Sequence, residues 1–477
     1  MNPVSAALVK GLTRIGPRWL PFADAASPEL PLGRILRLSL FQIAVGMATV
    51  LLVGTLNRVM IVELNVSATL VAAMVCLPFL FAPLRALIGH RSDMHRSVLG
   101  WRRVPYIWFG SLLQFGGLAI MPFALLVLSG DGVGPVLYGQ IGAALAFLLV
   151  GAGLHTTQTA GLALATDLAT PATRARVVAL LYVALLIGMV ASGLVFAWLL
   201  ADFSPLRLIQ VVQGAAVVTM VLNVVALWKQ EARNPTLTRF DRERPAFAAM
   251  LQGFLARPGA TRFLVAVALG TAAFNMQDVI LEPYGAQVLK LSVSGTTILT
   301  ALLATGSLAA FALAARALNA GVDPHRLAAL GLVCGLVAFP CVIFAGAIEA
   351  PGLFRFGTGL IGFGGGLFAV GTLTIAMELD DGPQAGLAVG IWGAAQATAA
   401  GLAIALGGAI RDGFAALASS GTLGPGLAEP AAAYHAVYHI EVALLFATLV
   451  AIGPLVRSAT VARPLPATRF GLAEFPG

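Results

Sequence analysis

LHTTQTAGLALATD (Leu154–Asp167, followed by Pro171) and LFAVGTLTIAMELD (Leu367–Asp380, followed by Pro383) are two apolar stretches of one pattern. Each opens on Leu, runs through small residues and threonines, and closes on an acidic residue shortly before a proline. A second pair, VSAT (Val66–Thr69) and VSGT (Val293–Thr296), falls earlier in each half of the chain. The two pairs occupy corresponding places, so the chain reads as a duplication, and the fold must be built from two similar halves.

Composition says what kind of halves these are. Of 477 residues, 59% are hydrophobic and only 10% are charged, with a mean hydropathy of +0.91. A soluble domain carries about 25% charge, which excludes a water-soluble enzyme and a disordered chain and points to a bundle of spanning helices. Hydrophobic runs come in two sets of six. The first set covers about 36–62, 68–88, 104–128, 135–160, 177–200 and 205–228. The second covers about 263–287, 293–317, 326–348, 352–377, 385–410 and 434–456. The expected organisation is an N-terminal arm (1–35), a six-helix bundle (36–228), a central loop (229–262), a second six-helix bundle (263–456) and a tail (457–477). Six plus six with a long central connection is the layout of the major facilitator fold, an all-α membrane protein with a cavity between its halves.

The basic excess marks orientation. Lys and Arg exceed Asp and Glu by eight, and 24 of the 29 basic residues fall in the arm, the central loop, the tail and the loops on their side. By the positive-inside rule both termini are cytoplasmic. That accounts for the basic balance without nucleic acid. The three cysteines show no zinc spacing and no disulfide framework.

Few groups in such a chain can carry chemistry. Asp278 and Glu282 lie within the seventh run, where carboxylates are rare and face a cavity or a partner. Their four-residue spacing places them on one helix face. Alignment of the halves sets Arg58, in the first run, opposite Asp278. The three residues read either as a salt-bridge lock between the halves or as a proton- or ligand-responsive coupling site. In the loop after the second run, Gly89, Asp93, Gly100, Arg102 and Arg103 resemble the cytoplasmic gate motif of the facilitators, although Asp93 to Gly100 is a longer spacing than usual and Met94 stands where a basic residue is usual. His155, beside three polar residues, is either a ligand for the magnesium of a chlorophyll or an interhelical hydrogen-bonding group. His435 and His439, four apart, are open to the same two readings, metal ligation or interfacial hydrogen bonding. Trp108, Phe109 and Phe115 can form a lipid-facing groove or ordinary packing. The glycine-rich tenth run lets helices approach closely. No nucleotide-binding motif, metal-hydrolase motif or nucleophile elbow is present.

Five stretches are more specific than a fold: LGRILRLSLFQ (Leu32–Gln42), GTLNRVMIVEL (Gly54–Leu64), APLRALIGHRSD (Ala82–Asp93), GWRRVPYIWFGS (Gly100–Ser111) and QDVILEPYG (Gln277–Gly285). Together they resemble the PucC/LhaA family, a bacteriochlorophyll-delivery subgroup of the major facilitators, and the likeness runs from about Leu32 to Leu455. The resemblance implies a non-enzymatic assembly factor in the photosynthetic intracytoplasmic (inner) membrane of purple bacteria. It would bind the antenna α and β polypeptides and bacteriochlorophyll amid membrane lipids, beside pigment-synthesis enzymes, and hold or deliver pigment as the ring grows. His155 and Trp108 are the expected pigment contacts. A proton-coupled secondary transporter of a small or amphipathic solute is the alternative reading.

Overall fold

A computed structural model of the chain describes residues 30–81, 100–129, 135–170, 173–232, 255–378, 385–421 and 429–461, with isolated positions between them. All regular structure among the described residues is helical. In chain order the helices are α1 (Leu32–Glu63), α2 (Ala68–Cys76, continuing as a 3-10 turn over Leu77–Phe81), α3 (Val104–Leu128), α4 (Val136–Leu168), α5 (Arg174–Leu199) and α6 (Pro205–Leu227). The second half holds α7 (Ala260–Gln287), α8 (Val293–Asn319), α9 (Pro324–Ala347), α10 (Pro351–Glu378), α11 (Ala385–Ser419) and α12 (Pro430–Val461). Eleven of these are long and apolar enough to cross a bilayer, and α2 is a shorter apolar helix. The protein is a multi-pass membrane protein with the twelve helices of the major facilitator fold.

Local chemistry sets the helix starts. Ser67, Ser204, Ser292 and Asp323 each accept a backbone N–H of the first turn with a side-chain oxygen, at 2.8–3.3 Å. Such caps satisfy donors that no intrahelical carbonyl reaches. Three boundaries shift from the sequence reading. Within the span expected over 68–88 the α-helix gives way after Cys76 to a 3-10 turn over Leu77–Phe81, because Pro78 lacks an N–H and its ring clashes with the preceding turn. α4 extends to Leu168 and α11 to Ser419, each well beyond the expected end.

The duplication shows in the packing. In the first half, α3 and α4 meet where Gly110 faces Gly153, so closely that a Cβ on Gly153 would lie 2.5 Å from the Gly110 carbonyl oxygen. In the second half α9 and α10 meet in the same way, a Cβ on Gly331 lying 2.5 Å from the Gly364 carbonyl oxygen. The ring of Phe41 (α1) fills the hollow at Gly161 (α4), and Phe368 (α10) fills that at Gly270 (α7). The corresponding helix pairs thus share one device, with the aromatic and the glycine exchanged.

The halves join through α2 against α11 and α5 against α8. Ala68 and Ala72 press on Gly408, Phe79 on Gly401, and Ala301 on Gly193. Toward the face opposite the chain ends, the Asp412 carboxylate accepts both the backbone N–H and the hydroxyl of Thr69, at 2.6 and 2.8 Å.

Candidate functional site

The seam between α1 and α7 gathers the rare polar groups. α1 is not uniformly α-helical: π-helical turns over Val50–Thr55 and Val59–Glu63 bracket Leu56–Arg58. A π turn brings residues i and i+5 together. Arg58 accordingly pairs with Glu63, and its side chain is 5% exposed against 37% for Glu63. The structure does not pair Arg58 with Asp278. α7 also changes winding, with a 3-10 turn over Met276–Val279 between α-helical segments. Three residues per turn in place of 3.6 changes the phase between Asp278 and Glu282, and the two carboxylates find different partners.

Asp278 accepts a hydrogen bond from the neighbouring Gln277 Nε2 at 2.5 Å, and its backbone carbonyl accepts one from Asn57 Nδ2 at 3.0 Å. Glu282 is 3% exposed and accepts from the Thr300 hydroxyl at 2.8 Å. It lies against Gly54 of α1, where a Cβ would approach Glu282 Oε1 to 2.5 Å and Thr300 Oγ1 to 2.6 Å. The positive field of Arg58 reaches Glu282, so the expected triad is partly assembled, through Glu282 and not through Asp278. The Thr55 and Thr297 hydroxyls meet across the same seam at 3.4 Å. A group without an assigned role in the sequence reading joins them: Glu441 of α12 is fully buried beside the 3-10 turn of α7, with the Gln277 backbone facing its carboxylate and no hydrogen bond of standard geometry to either oxygen. Its signal in the sequence is a carboxylate inside an apolar run.

The face that carries the chain ends holds a second cluster. Gly89 and Asp93 of the gate motif lie outside the described residues. Gly100 adopts a positive φ of 74° just before α3, a conformation that glycine takes without steric cost. Arg103 is 4% exposed; it donates to Asp167 Oδ2 at 3.0 Å and to the Ser92 hydroxyl at 2.6 Å, while Arg102 donates to the same Asp167 oxygen at 3.2 Å. Glu231, just beyond α6, then caps α3 from outside, its carboxylate accepting the backbone N–H groups of Arg102 (2.7 Å), Arg103 (3.0 Å) and Val104 (2.9 Å). The adjacent Gln230 exchanges hydrogen bonds with Arg34 at the start of α1. Arg102 and Arg103 therefore tie α3 to α4 and α6 within one half. Asp167 was visible as the acidic end of the repeat, whereas nothing in the sequence marks Glu231 as a cap for a helix 128 positions away.

The two expected pigment contacts face different surroundings. His155 packs its ring edge-on to Phe79 at 6.4 Å beside the broken end of α2, and its Nδ1 is buried without a hydrogen-bond partner. Trp108 is 43% exposed on the outer surface of α3, beside Phe109. His435 donates or accepts at Tyr284 Oη (3.2 Å), and His439 Nδ1 lies 2.7 Å from the His435 carbonyl oxygen. Among the described residues no group of three or more His, Cys, Asp or Glu side chains is placed to hold a bare metal ion.

Comparison with known proteins agrees with this architecture. The sequence model of the PUCC protein family matches residues 55–460. Protein PucC of Rhodovulum sulfidophilum is 55% identical over 418 residues, covering 86% of this chain and 92% of that protein. Protein PucC of Cereibacter sphaeroides is 52% identical over 461 residues, covering 96% and 99%. A more distant relative at 28% identity, covering 80% and 87%, is the bacteriochlorophyll synthase 44.5 kDa chain of Rhodobacter capsulatus. Among solved structures, an inward-facing, unoccupied bacterial homologue of the human lysosomal transporter Spinster superposes with a TM-score of 0.67 at 16% identity, over 92% of this chain and 100% of that one.

Proposed function

The chain belongs to the PUCC protein family, and from that premise we propose that it is a non-enzymatic assembly factor for a bacterial light-harvesting antenna. In this reading it works in the photosynthetic intracytoplasmic membrane, binds the antenna α and β polypeptides, and holds or delivers bacteriochlorophyll while the ring is built. One observation carries the reading: identity of 52–55% with proteins named PucC over nearly the whole chain. The relative named for bacteriochlorophyll synthase supports the pigment part.

The geometry is compatible in kind. A carrier of a polar solute needs several polar groups converging on an open midplane site, and the seam polar groups named above are largely engaged, Arg58, Asp278 and Glu282 by partners in their own half and Asn57 and Thr55 by partners across the seam. Outside, α3 and α4 present large apolar side chains, including Trp108, Phe109, Phe123, Tyr138 and Ile141, each at least 43% exposed. Single-span antenna helices would pack on such a flank through van der Waals contact.

The test is purification from a phototrophic host. Co-purification of antenna polypeptides with a bacteriochlorophyll absorption band is expected. Colourless protein free of antenna chains would overturn the proposal, and proton-gradient-driven uptake by reconstituted vesicles, abolished by Asp278→Asn, would replace it with the transporter reading.

A further inference from the structure

At the start of α12, between α11 and the turn before α12, lies an open notch of about 450 Å³ lined by Phe414, Leu427, Glu429, Ala432, His435 and His439. That volume is within the range of small-molecule sites. The hydrogen bonds around it engage both imidazoles. The Tyr284 hydroxyl lies 3.2 Å from the Val342 carbonyl oxygen and 3.2 Å from His435 Nε2, so His435 is held inward whichever of the two donates. His439 Nδ1 lies 2.7 Å from the His435 carbonyl oxygen. A carbonyl only accepts, so Nδ1 of His439 carries the proton and Nε2 keeps its lone pair. An imidazole anchored by one nitrogen to a backbone carbonyl, with the other nitrogen free, is the arrangement of a metal-ligating histidine.

One protein ligand does not hold a bare ion. His435 is occupied inward, and no group of three ligating side chains exists among the described residues. A metal bound here must bring its other donors with it, as a macrocyclic chelate does, leaving one axial position for the protein. The surroundings suit the rest of such a molecule. His439 is exposed, and Phe446 and Val450 on the same helix are 57% and 73% exposed. At 100° per residue, positions seven and eleven further on return to within about 20° of the His439 direction, so an apolar stripe about 16 Å long runs from the imidazole along α12.

We infer that His439 is the axial ligand of a metal-tetrapyrrole site, in which a chelated magnesium or zinc takes Nε2, the macrocycle lies in the notch, and its hydrocarbon tail follows Phe446 and Val450. The inference rests on the pigment part of the function proposed above and gives that part a location other than His155.

The experiment uses full-length protein in detergent micelles, with a zinc chlorin and its metal-free counterpart as probes. Wild type is expected to give the spectrum of a five-coordinate zinc chlorin. His439→Ala should weaken zinc-chlorin binding at least tenfold, leave metal-free binding within twofold, and regain the five-coordinate spectrum when free imidazole is added. His155→Ala should bind as wild type. Unchanged affinity and spectrum in His439→Ala, equal loss of both probes, or loss in His155→Ala alone would each overturn the assignment. Antenna co-purification is scored separately: its absence with zinc-chlorin ligation intact refutes the assembly role and spares the site, and the reverse refutes the site alone.

Discussion

Removing the carboxylate of Glu231 should loosen the start of α3. Arg103, the residue at the head of that helix, supplies no side-chain cap, and Pro105 follows it. Three backbone donors, on Arg102, Arg103 and Val104, instead converge on Glu231 at 2.7–3.0 Å. Loss of a helix cap costs about 0.5–2 kcal/mol, and loss of a negative charge at a helix N-terminus adds about 0.3–1 kcal/mol. Glu231 is half-buried, so water replaces part of what is removed, and the expected cost of Glu231→Ala is about 1–3 kcal/mol. Glu231→Gln keeps one acceptor oxygen and loses the charge, so it should fall between alanine and wild type. The readout is built in: Cys76, Cys334 and Cys341 are free and half-buried, and a thiol-reactive fluorophore reports their exposure during unfolding. At about 1.4 kcal/mol per tenfold, Glu231→Ala should raise the exposed fraction roughly five- to a hundredfold at a fixed mild challenge. If Glu231→Ala lies within about 0.5 kcal/mol of wild type, or glutamine is no better than alanine, the capping argument is wrong.

Three further outcomes are expected. Arg58→Met and Glu63→Gln should couple by about 1–2 kcal/mol in a double-mutant cycle, a figure discounted because Glu63 is more than a third exposed; Arg58→Met with Asp278→Asn should be additive to within about 0.5 kcal/mol, and the opposite ranking would restore the lock first expected from the sequence. Gly54→Ala drives a methyl to 2.5 Å from Glu282 Oε1 and should destabilise by about 1–3 kcal/mol, whereas Gly116→Ala, which meets nothing within 4 Å, should be neutral or stabilising by up to about 1 kcal/mol; equal effects in thermal unfolding would refute the tight seam. Glu441→Leu removes a buried carboxyl that faces the Gln277 backbone without a hydrogen bond of standard geometry and should leave stability unchanged or raise it by about 1–3 kcal/mol, so a fall of more than about 1 kcal/mol would mean that the contact with Gln277 is a stabilising hydrogen bond.

What the sequence discloses about this molecule, and what it withholds, divides along a physical line. Helix number, the twofold repeat and four of the twelve helix starts follow from information held within a few neighbouring residues: a run of apolar side chains long enough to span, and at those four starts a Ser or Asp that closes the first turn. Ser67 caps α2 from within VSAT, whereas α8 is capped by Ser292, the residue just before VSGT. The charge partners are a different kind of fact. Arg58 meets Glu63 because α1 winds as a π-helix there, and Asp278 and Glu282 diverge because α7 tightens to a 3-10 turn. Alignment of the halves at a uniform 100° per residue sets Arg58 against Asp278 and misses Glu63, because it takes no account of the altered winding; in α7 the change has a local mark in Pro283, whose missing N–H interrupts the helical ladder, whereas the π turns of α1 contain no proline. Glu231 and Asp167 reach Arg103 from 128 and 64 positions away, a distance at which composition carries no information. The reading from the sequence therefore picked out charges that the fold buries while setting Arg58 against Asp278 in place of Glu63. In a membrane protein this is the expected form of the error: burying a charge costs several kcal/mol, which makes each one conspicuous in the chain, but the partner that offsets the cost is chosen by the fold.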